Sequence, residues 1–412
     1  MMDHYSRPVP MRGPYLTPGV MALIVLALIG LAFLGARFLF GLGAISNLSI
    51  AYPWGIWTPT IKAGGVALAA GGFTTAALGH VMHREEFHPI IRPALLTALL
   101  GYTFVALSVC IDIGRWYFIW HPIVMWNGSS ALFEVGICVT IYLNVLYIEF
   151  LPVVIERFKG RVDLPGSWTR FSPLIERLLG RLDAILDQTM FVFLIAGIVL
   201  STLHQSSLGT LMVIAGPKMH PLWQTPILPL LFLLSAISVG LPMAIIESLL
   251  SARSFGLKPR MDLLGELGRL TAPLLAIHLG FKIGDMVIRE TFVYLMKVNT
   301  VSVLFTAEVL LGIVVPLRML VDAKVRRSPP LLFTASALVA GGVLLNRMNT
   351  FLVAYTPAYP GKTYFPAFGE IAVAVAFVCL QILIYRAAVM IFPVISVPDR
   401  NHVPRSKYAV RG

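Results

Sequence analysis

Ten separated runs of about twenty apolar residues dominate this chain, and a run of that length is what an α-helix needs to cross the hydrocarbon layer of a bilayer. They lie at about 18–40, 60–81, 91–113, 129–151, 186–211, 227–250, 268–289, 300–320, 330–349 and 367–392. In hydrocarbon every backbone polar group must be satisfied within the segment, so the runs predict helices. The expectation is an all-α polytopic membrane protein of about ten transmembrane helices, arranged as two helical bundles plus flanking helices. Composition agrees: 57% of the 412 residues are hydrophobic and only 13% are charged. A soluble enzyme, a nucleic-acid binder and a disordered scaffold are excluded.

With ten spans both termini share one side, and the basic residues indicate which. If the N-terminus is cytoplasmic, that face carries 23 of the 32 Lys and Arg. The positive-inside bias therefore predicts an inner-membrane protein, N-in and C-in. The clusters Arg157, Lys159, Arg161 and Lys324, Arg326, Arg327 express that bias beside membrane lipid. The expected organisation is a cytoplasmic tail over 1–17, one membrane domain over 18–392 with a long cytoplasmic loop at 152–185, and a cytoplasmic tail over 393–412. The first run follows Asp3, Arg7 and Arg12 and reads as a retained span. No fixed-period repeat divides the chain.

Charged and polar groups inside spans are costly and mark candidate sites. Span parity brings several to one depth on the non-cytoplasmic side: Asp112 and Arg115 at the end of the third span, Glu134 at the start of the fourth, and His204, Gln205, Ser206 and Ser207 in the fifth. Arg347, Asn349 and Tyr355 end the ninth, and Tyr364 and Glu370 open the tenth. Such a layer suits a quinone, whose carbonyls need donors such as His204 or Ser206 and whose reduction needs a proton relay. The plainer reading of Asp112 and Arg115, three residues apart, is mutual neutralisation. Glu134 has no basic neighbour in sequence, which favours proton handling, and three polar neighbours favour a site at His204 over a core histidine. Asp285 and Arg289, four apart, read as a structural pair. Glu308 lies deeper, and Glu149 and Glu247 lie near cytoplasmic span ends, where they could mark proton entry.

Cysteines 110, 138 and 379 are too few to ligate a four-cysteine cluster. No histidine pair on neighbouring spans suggests haem ligation. The expectation is a subunit without haem or metal that takes electrons from a docked partner.

An ordered series of motifs runs along nearly the whole chain: Phe40-Gly41-Leu42-Gly43, Pro53-Trp54-Gly55-Ile56-Trp57, Gly71-Gly72-Phe73, His88-Pro89 with Arg92-Pro93, Asp112-Ile113-Gly114-Arg115 and Leu132-Phe133-Glu134. It continues with His204-Gln205-Ser206-Ser207-Leu208-Gly209, His220-Pro221-Leu222-Trp223-Gln224, Arg347, Tyr364-Phe365-Pro366 and Glu370. In these the chain resembles the NrfD/PsrC superfamily of integral membrane subunits, most closely the HybB type that anchors quinone-linked periplasmic nickel–iron hydrogenases. The resemblance implies a ten-helix, cofactor-free subunit exchanging electrons between menaquinone or another quinone, bound toward the periplasm, and a periplasmic ferredoxin-like iron–sulfur protein beside a catalytic subunit. It implies a quinone site including Trp54, Tyr364, Asp112, Arg115 and the His204–Ser207 block. Proton transfer would involve Glu134, Glu370, Glu308 and Glu149. Ile61 departs from the family's ionisable position, with Lys62 following. The superfamily also serves polysulfide reductases, multihaem cytochromes and alternative quinol-oxidising complexes. A secondary transporter would need Pro242, Pro273 and Pro316 to interrupt corresponding spans of two repeats, and no repeat relates them. A purely structural anchor is the third alternative.

Overall fold

The computed structural model describes residues 6–162, 166–358 and 363–398. Ten of its helices are long and apolar enough to cross a membrane: α1 Pro18–Phe40, α2 Thr58–Gly79, α3 His88–Asp112, α4 Ala131–Phe158, α5 Thr169–Lys218, α6 Leu228–Phe255, α7 Met261–Ile288, α8 Thr300–Val321, α9 Pro329–Val353 and α10 Phe368–Ile391. The chain is a multi-pass membrane protein. Local chemistry sets several helix starts. The Thr17 hydroxyl accepts from Val20 N at 3.3 Å ahead of α1, the Ser130 hydroxyl from Phe133 N at 3.3 Å ahead of α4, and Asn299 forms a capping box with Ser302 at α8.

Helices α2–α5 pack around one apolar core and α6–α9 around a second, with α2 and α6 along the seam. The α1 helix lies along α10, and this pair flanks the bundles through α3. The expected two-bundle arrangement thus holds. Backbones touch at particular glycines. A Cβ on Gly342 of α9 would fall 2.1 Å from the Gly312 Cα of α8, and one on Gly240 of α6 would fall 2.3 Å from Thr74 Oγ1 of α2. Strands β1 (Ser6–Val9) and β2 (Ile395–Pro398) pair antiparallel, joining the two chain ends on one side. A Met219↔Tyr355 bridge ties two loops at the opposite side.

The connection expected as loop over 152–185 is mostly helical, apart from residues 163–165, which lie outside the described residues. The α-helical part of α5 runs 44 residues, Ser172–Ala215, or about 66 Å at 1.5 Å per residue, against about 30 Å of hydrocarbon. Its first turns carry Glu176, Arg177, Arg181, Asp183 and Asp187, so they project beyond the apolar layer. There they meet the end of α4: Lys159 Nζ lies 2.6 Å from Asp183, and Gly160 N and Val162 N donate to Glu176 at 3.0 and 3.1 Å.

Among the described residues three of the spans carry π-helical turns: α2 at Thr58–Gly64 and, at its end, Ala77–Val81, α8 at Leu310–Val314 and α9 at Asn349–Val353. Such turns re-aim side chains and recur at functional sites. Here the first carries Lys62, the third follows Glu308 and the last begins at Asn349.

Candidate functional site

At the end of the first bundle opposite the β1–β2 pair, Asp112 closes α3. Its partner is Lys62, presented by the π turn of α2, with the Thr58 hydroxyl donating at 3.2 Å. The Asp112–Arg115 pairing open from sequence is not formed. The α3 helix stops at Asp112, Ile113 turns to extended backbone, and Arg115 stands exposed in the turn beyond. The buried Arg37 of α1 caps α3 instead, donating to Ile111 O at 2.8 Å and Ile113 O at 2.7 Å.

Glu370 is fully buried in the first turn of α10, where an acid also suits the helix dipole. It accepts from the Tyr364 phenol, from Asn47 N at 2.9 Å and Ala367 N at 3.2 Å, and more weakly from Ile56 N at 3.4 Å. These bonds fasten the α1–α2 loop to α10. Tyr364 stacks on Tyr52 at 6.2 Å, and Trp54 meets Phe351 edge-on at 5.8 Å, giving this end aromatic walls.

Beneath lies the polar core of the bundle. Glu134, in the first turn of α4, accepts from the Ser207 hydroxyl of α5 at 2.5 Å. His204 and Gln205 are buried, as are Ser201 and Tyr102; the Tyr102 ring sits 5.7 Å from the His204 imidazole and 4.5 Å, edge-on, from Tyr142. Ser201 and Gln205 stand against the Tyr102 hydroxyl. Six enclosed atoms here have no hydrogen-bond partner of good geometry among the described residues: Tyr102 OH, Ser201 Oγ, both His204 nitrogens and both Gln205 amide atoms. Buried polar groups without protein partners call for water or a ligand. Ser206 faces away and bonds its own helix at Thr202 O, 3.2 Å. Toward the Phe158 end of α4, Glu149 packs on Gly197, where a Cβ would fall 2.6 Å from its Oε1. Positions 134, 138, 142 and 149 of α4 therefore share a face with 197, 201, 204 and 207–208 of α5.

Arg347, Asn349 and Glu308 belong to a separate cluster in the second bundle, so the single layer expected from span parity divides. Glu308 pairs with Lys282 and accepts from Asn346 Nδ2 and Asn349 Nδ2, both at 2.8 Å, and from Trp223 Nε1 at 3.0 Å. Arg347 is 0% exposed; it donates to Asn346 Oδ1 at 2.6 Å and Ser235 Oγ at 2.8 Å, and its guanidinium lies 3.6 Å from the Phe232 ring centroid. A small cavity of about 20 Å³ borders the cluster, lined in part by His278, Lys282 and Trp223. The Asp285–Arg289 pair forms as expected, at 3.0 Å, and Thr225 donates to Asp285 at 2.7 Å.

Sequence reasoning passed over Tyr102, Ser201 and Lys282, and noted Lys62 beside the family's ionisable position without assigning it a role. Lys62 and Lys282, cations inside apolar runs, were the available signal. Tyr102 and Ser201 carry none beyond a hydroxyl in mid-span.

The family model "Polysulphide reductase, NrfD" matches residues 53–357, most of the length over which these clusters are built. The chain belongs to the NrfD family. Within that family it is 34% identical over 399 residues, covering 96% of both chains, to the "Probable Ni/Fe-hydrogenase 2 b-type cytochrome subunit" of Escherichia coli K12. It is 24% identical over 380 residues to the "Menaquinone reductase, integral membrane subunit" of Nitratidesulfovibrio vulgaris, covering 86% of both.

The name of the E. coli relative, a b-type cytochrome subunit, overturns the expectation of a subunit without haem. That expectation weighed only histidine pairs on neighbouring spans. In the structure His204 is an imidazole with both nitrogens unpartnered, the condition of an available ligand. The other buried imidazole, His278, borders the Lys282 cavity in the second bundle. The described packing does not set the two across a common space, so no step is routed through a haem.

Proposed function

We propose that this NrfD-family protein is the quinone-exchanging membrane subunit of a respiratory oxidoreductase complex. The observation that carries the reading is the set of six unpartnered polar atoms on Tyr102, Ser201, His204 and Gln205, beside the Glu134–Ser207 hydrogen bond. A quinone head offers the missing complement: its carbonyls accept from the phenol, the amide and an imidazole N–H, and its reduction takes up protons. Menaquinone is favoured among quinones because one relative is named a menaquinone reductase subunit. Glu134 hands protons to this group through Ser207, and Glu149 supplies the inner end of the shared α4–α5 face. The Lys62–Asp112 pair and the aromatic walls at Trp54 and Tyr364 close the outer end.

Electrons enter from a ferredoxin-like iron–sulfur subunit docked on the non-cytoplasmic face, itself served by a catalytic subunit. A nickel–iron hydrogenase is favoured by the relative with 34% identity. Both termini are cytoplasmic in this reading, supported by the basic residues gathered on the side where β1 and β2 pair. Taking protons from the cytoplasm and electrons from outside would make turnover electrogenic.

The test uses the purified complex. Glu134→Gln and His204→Ala are expected to abolish quinone reduction while the partner enzyme's activity with an artificial dye persists. Equal loss of both activities would mean failed assembly, and unchanged quinone reduction would refute the site. In vesicles, quinone reduction without a membrane potential would refute the electrogenic part alone.

A further inference from the structure

A second pocket, of about 90 Å³, lies at the side of the molecule where β1 and β2 pair. It is bounded by the first turn of α3, the last turns of α6 and α10, the α6–α7 loop and β2. The walls are largely apolar, but the base holds Glu247 of α6 and Tyr385 of α10, Ser248 and Ser251 line one side, and Lys258 and Arg260 belong to the connecting loop. Tyr385 and Thr97 stand beside the Glu247 carboxylate. Nevertheless Glu247 Oε1 and the Tyr385 hydroxyl are enclosed and have no partner of hydrogen-bond geometry. Glu247 as a residue is only partly buried, so the pocket reaches it.

An ionisable acid in a span is expensive unless it is paired or reached by water. Glu247 has no salt bridge among the described residues, and the cations nearest the pocket, Lys258 and Arg260, belong to the loop rather than the base. Tyr385 and Thr97 stand close enough to share the carboxylate with ordered water, for which the pocket has room for several molecules, and the hydroxyls of Ser248 and Ser251 give further anchors.

We infer that this pocket is a water-filled intake through which Glu247 exchanges protons with the cytoplasm. A hydronium at the base gives its proton to the carboxylate and leaves as water; the reverse step returns it. Tyr385 holds the water against the acid, and Lys258 and Arg260 offset the negative charge of the deprotonated state. The inference takes its compartment from the orientation argued under the proposed function. Outward from Glu247 along α6 come Thr74 against Gly240, about 10 Å away at 1.5 Å per residue, then Ser238, whose hydroxyl bonds Leu234 O of its own helix, and Ser235, which holds Arg347. The intake therefore opens onto the seam between the bundles.

Dicyclohexylcarbodiimide, which crosses membranes and adds to protonated carboxyl groups, provides the test in vesicles bearing the intact complex. With the two faces held at different pH, its mass adduct on the Glu247 peptide is quantified. The adduct is expected to fall at least about fivefold when the cytoplasmic-side pH is raised by about three units, with no response to the other side. Glu247→Gln should remove it. In a cysteine-free background, Ser251→Cys should react with a charged, impermeant thiol reagent from the cytoplasmic side. An adduct that follows neither pH, or a Ser251→Cys that reacts from neither side, would overturn the intake while leaving the orientation standing. An adduct that follows the opposite pH would overturn the inference and the orientation together.

Discussion

Glu308 is the acceptor at the centre of the second bundle, and its removal gives a measurable forecast. The residue is 2% exposed, its partner Lys282 has 8% of its side chain exposed, and three further donors converge on the carboxylate. Glu308→Gln keeps the shape but leaves the Lys282 ammonium without a counter-charge where little water reaches. Breaking a buried pair in this way costs about 3–5 kcal/mol, a large part of a domain stability of about 5–15 kcal/mol. Lys282→Met alone strands the carboxylate and should cost a similar amount. The double variant Glu308→Gln/Lys282→Met removes both charges at nearly constant volume, so it should recover about 2–3 kcal/mol relative to the sum of the singles. The assay is the midpoint of unfolding of each variant in the same lipid or detergent, followed by Trp223 fluorescence and by retention of a monodisperse protein. A double variant no more stable than the worse single would refute the claim that charge pairing holds this cluster. Once stability is restored, turnover separates two roles. Quinone reduction that survives in the double variant makes Glu308 structural, and its loss makes the acid a carrier of protons.

Three other outcomes follow from contacts already described. Gly342→Ala would place its Cβ 2.1 Å from the Gly312 Cα, and overpacking of this kind costs about 1–3 kcal/mol or more, so a fall in thermal midpoint relative to the unsubstituted protein is expected. Asp112→Asn should destabilise less than Glu308→Gln, by about 1–3 kcal/mol, because both partners there are partly exposed, and Lys62→Met should restore part of the loss. Burial lowers the pKa of His220, in the loop between α5 and α6, below its ordinary value, and its Nδ1 accepts from Leu222 N at 3.3 Å. Its native state therefore binds fewer protons than the unfolded one. The contribution is full above the ordinary histidine range and is lost as pH falls through the lowered value. Hydrogen exchange across the His220 loop should accelerate on acidification, and His220→Gln should remove that dependence.

The spans were legible because hydropathy reports burial in hydrocarbon directly, and ten apolar runs became ten helices. The first part of α5 was not legible, since Arg177, Arg181 and Asp183 remove the apolar signal while leaving the helix intact. Ion pairs divide in the same way. Asp285–Arg289 was legible because four residues on one helix fix the geometry, whereas Asp112 looked paired with Arg115 only while α3 was imagined to continue. Once the helix stops at Asp112, the charge is free to take Lys62, fifty residues earlier, and nothing local to either residue records that choice.

The same distinction bears on how the buried charges are used. Parity could place Asp112, Glu134, His204, Glu308 and Arg347 by depth but not by azimuth, and azimuth is what separates the two bundles. In the second, every oxygen of Glu308 has donors and Arg347 is held by Ser235 and Asn346, a pattern suited to orienting helices, although Arg347 Nε and the Ser336 hydroxyl are left unmet among the described residues. In the first, Tyr102, Ser201, His204 and Gln205 are enclosed with their polar atoms unmet. Each unmet group costs about 1–3 kcal/mol if nothing supplies its bond. Four such side chains together form the largest group of unmet polar atoms among the described residues, and water or a ligand between them would offset that cost.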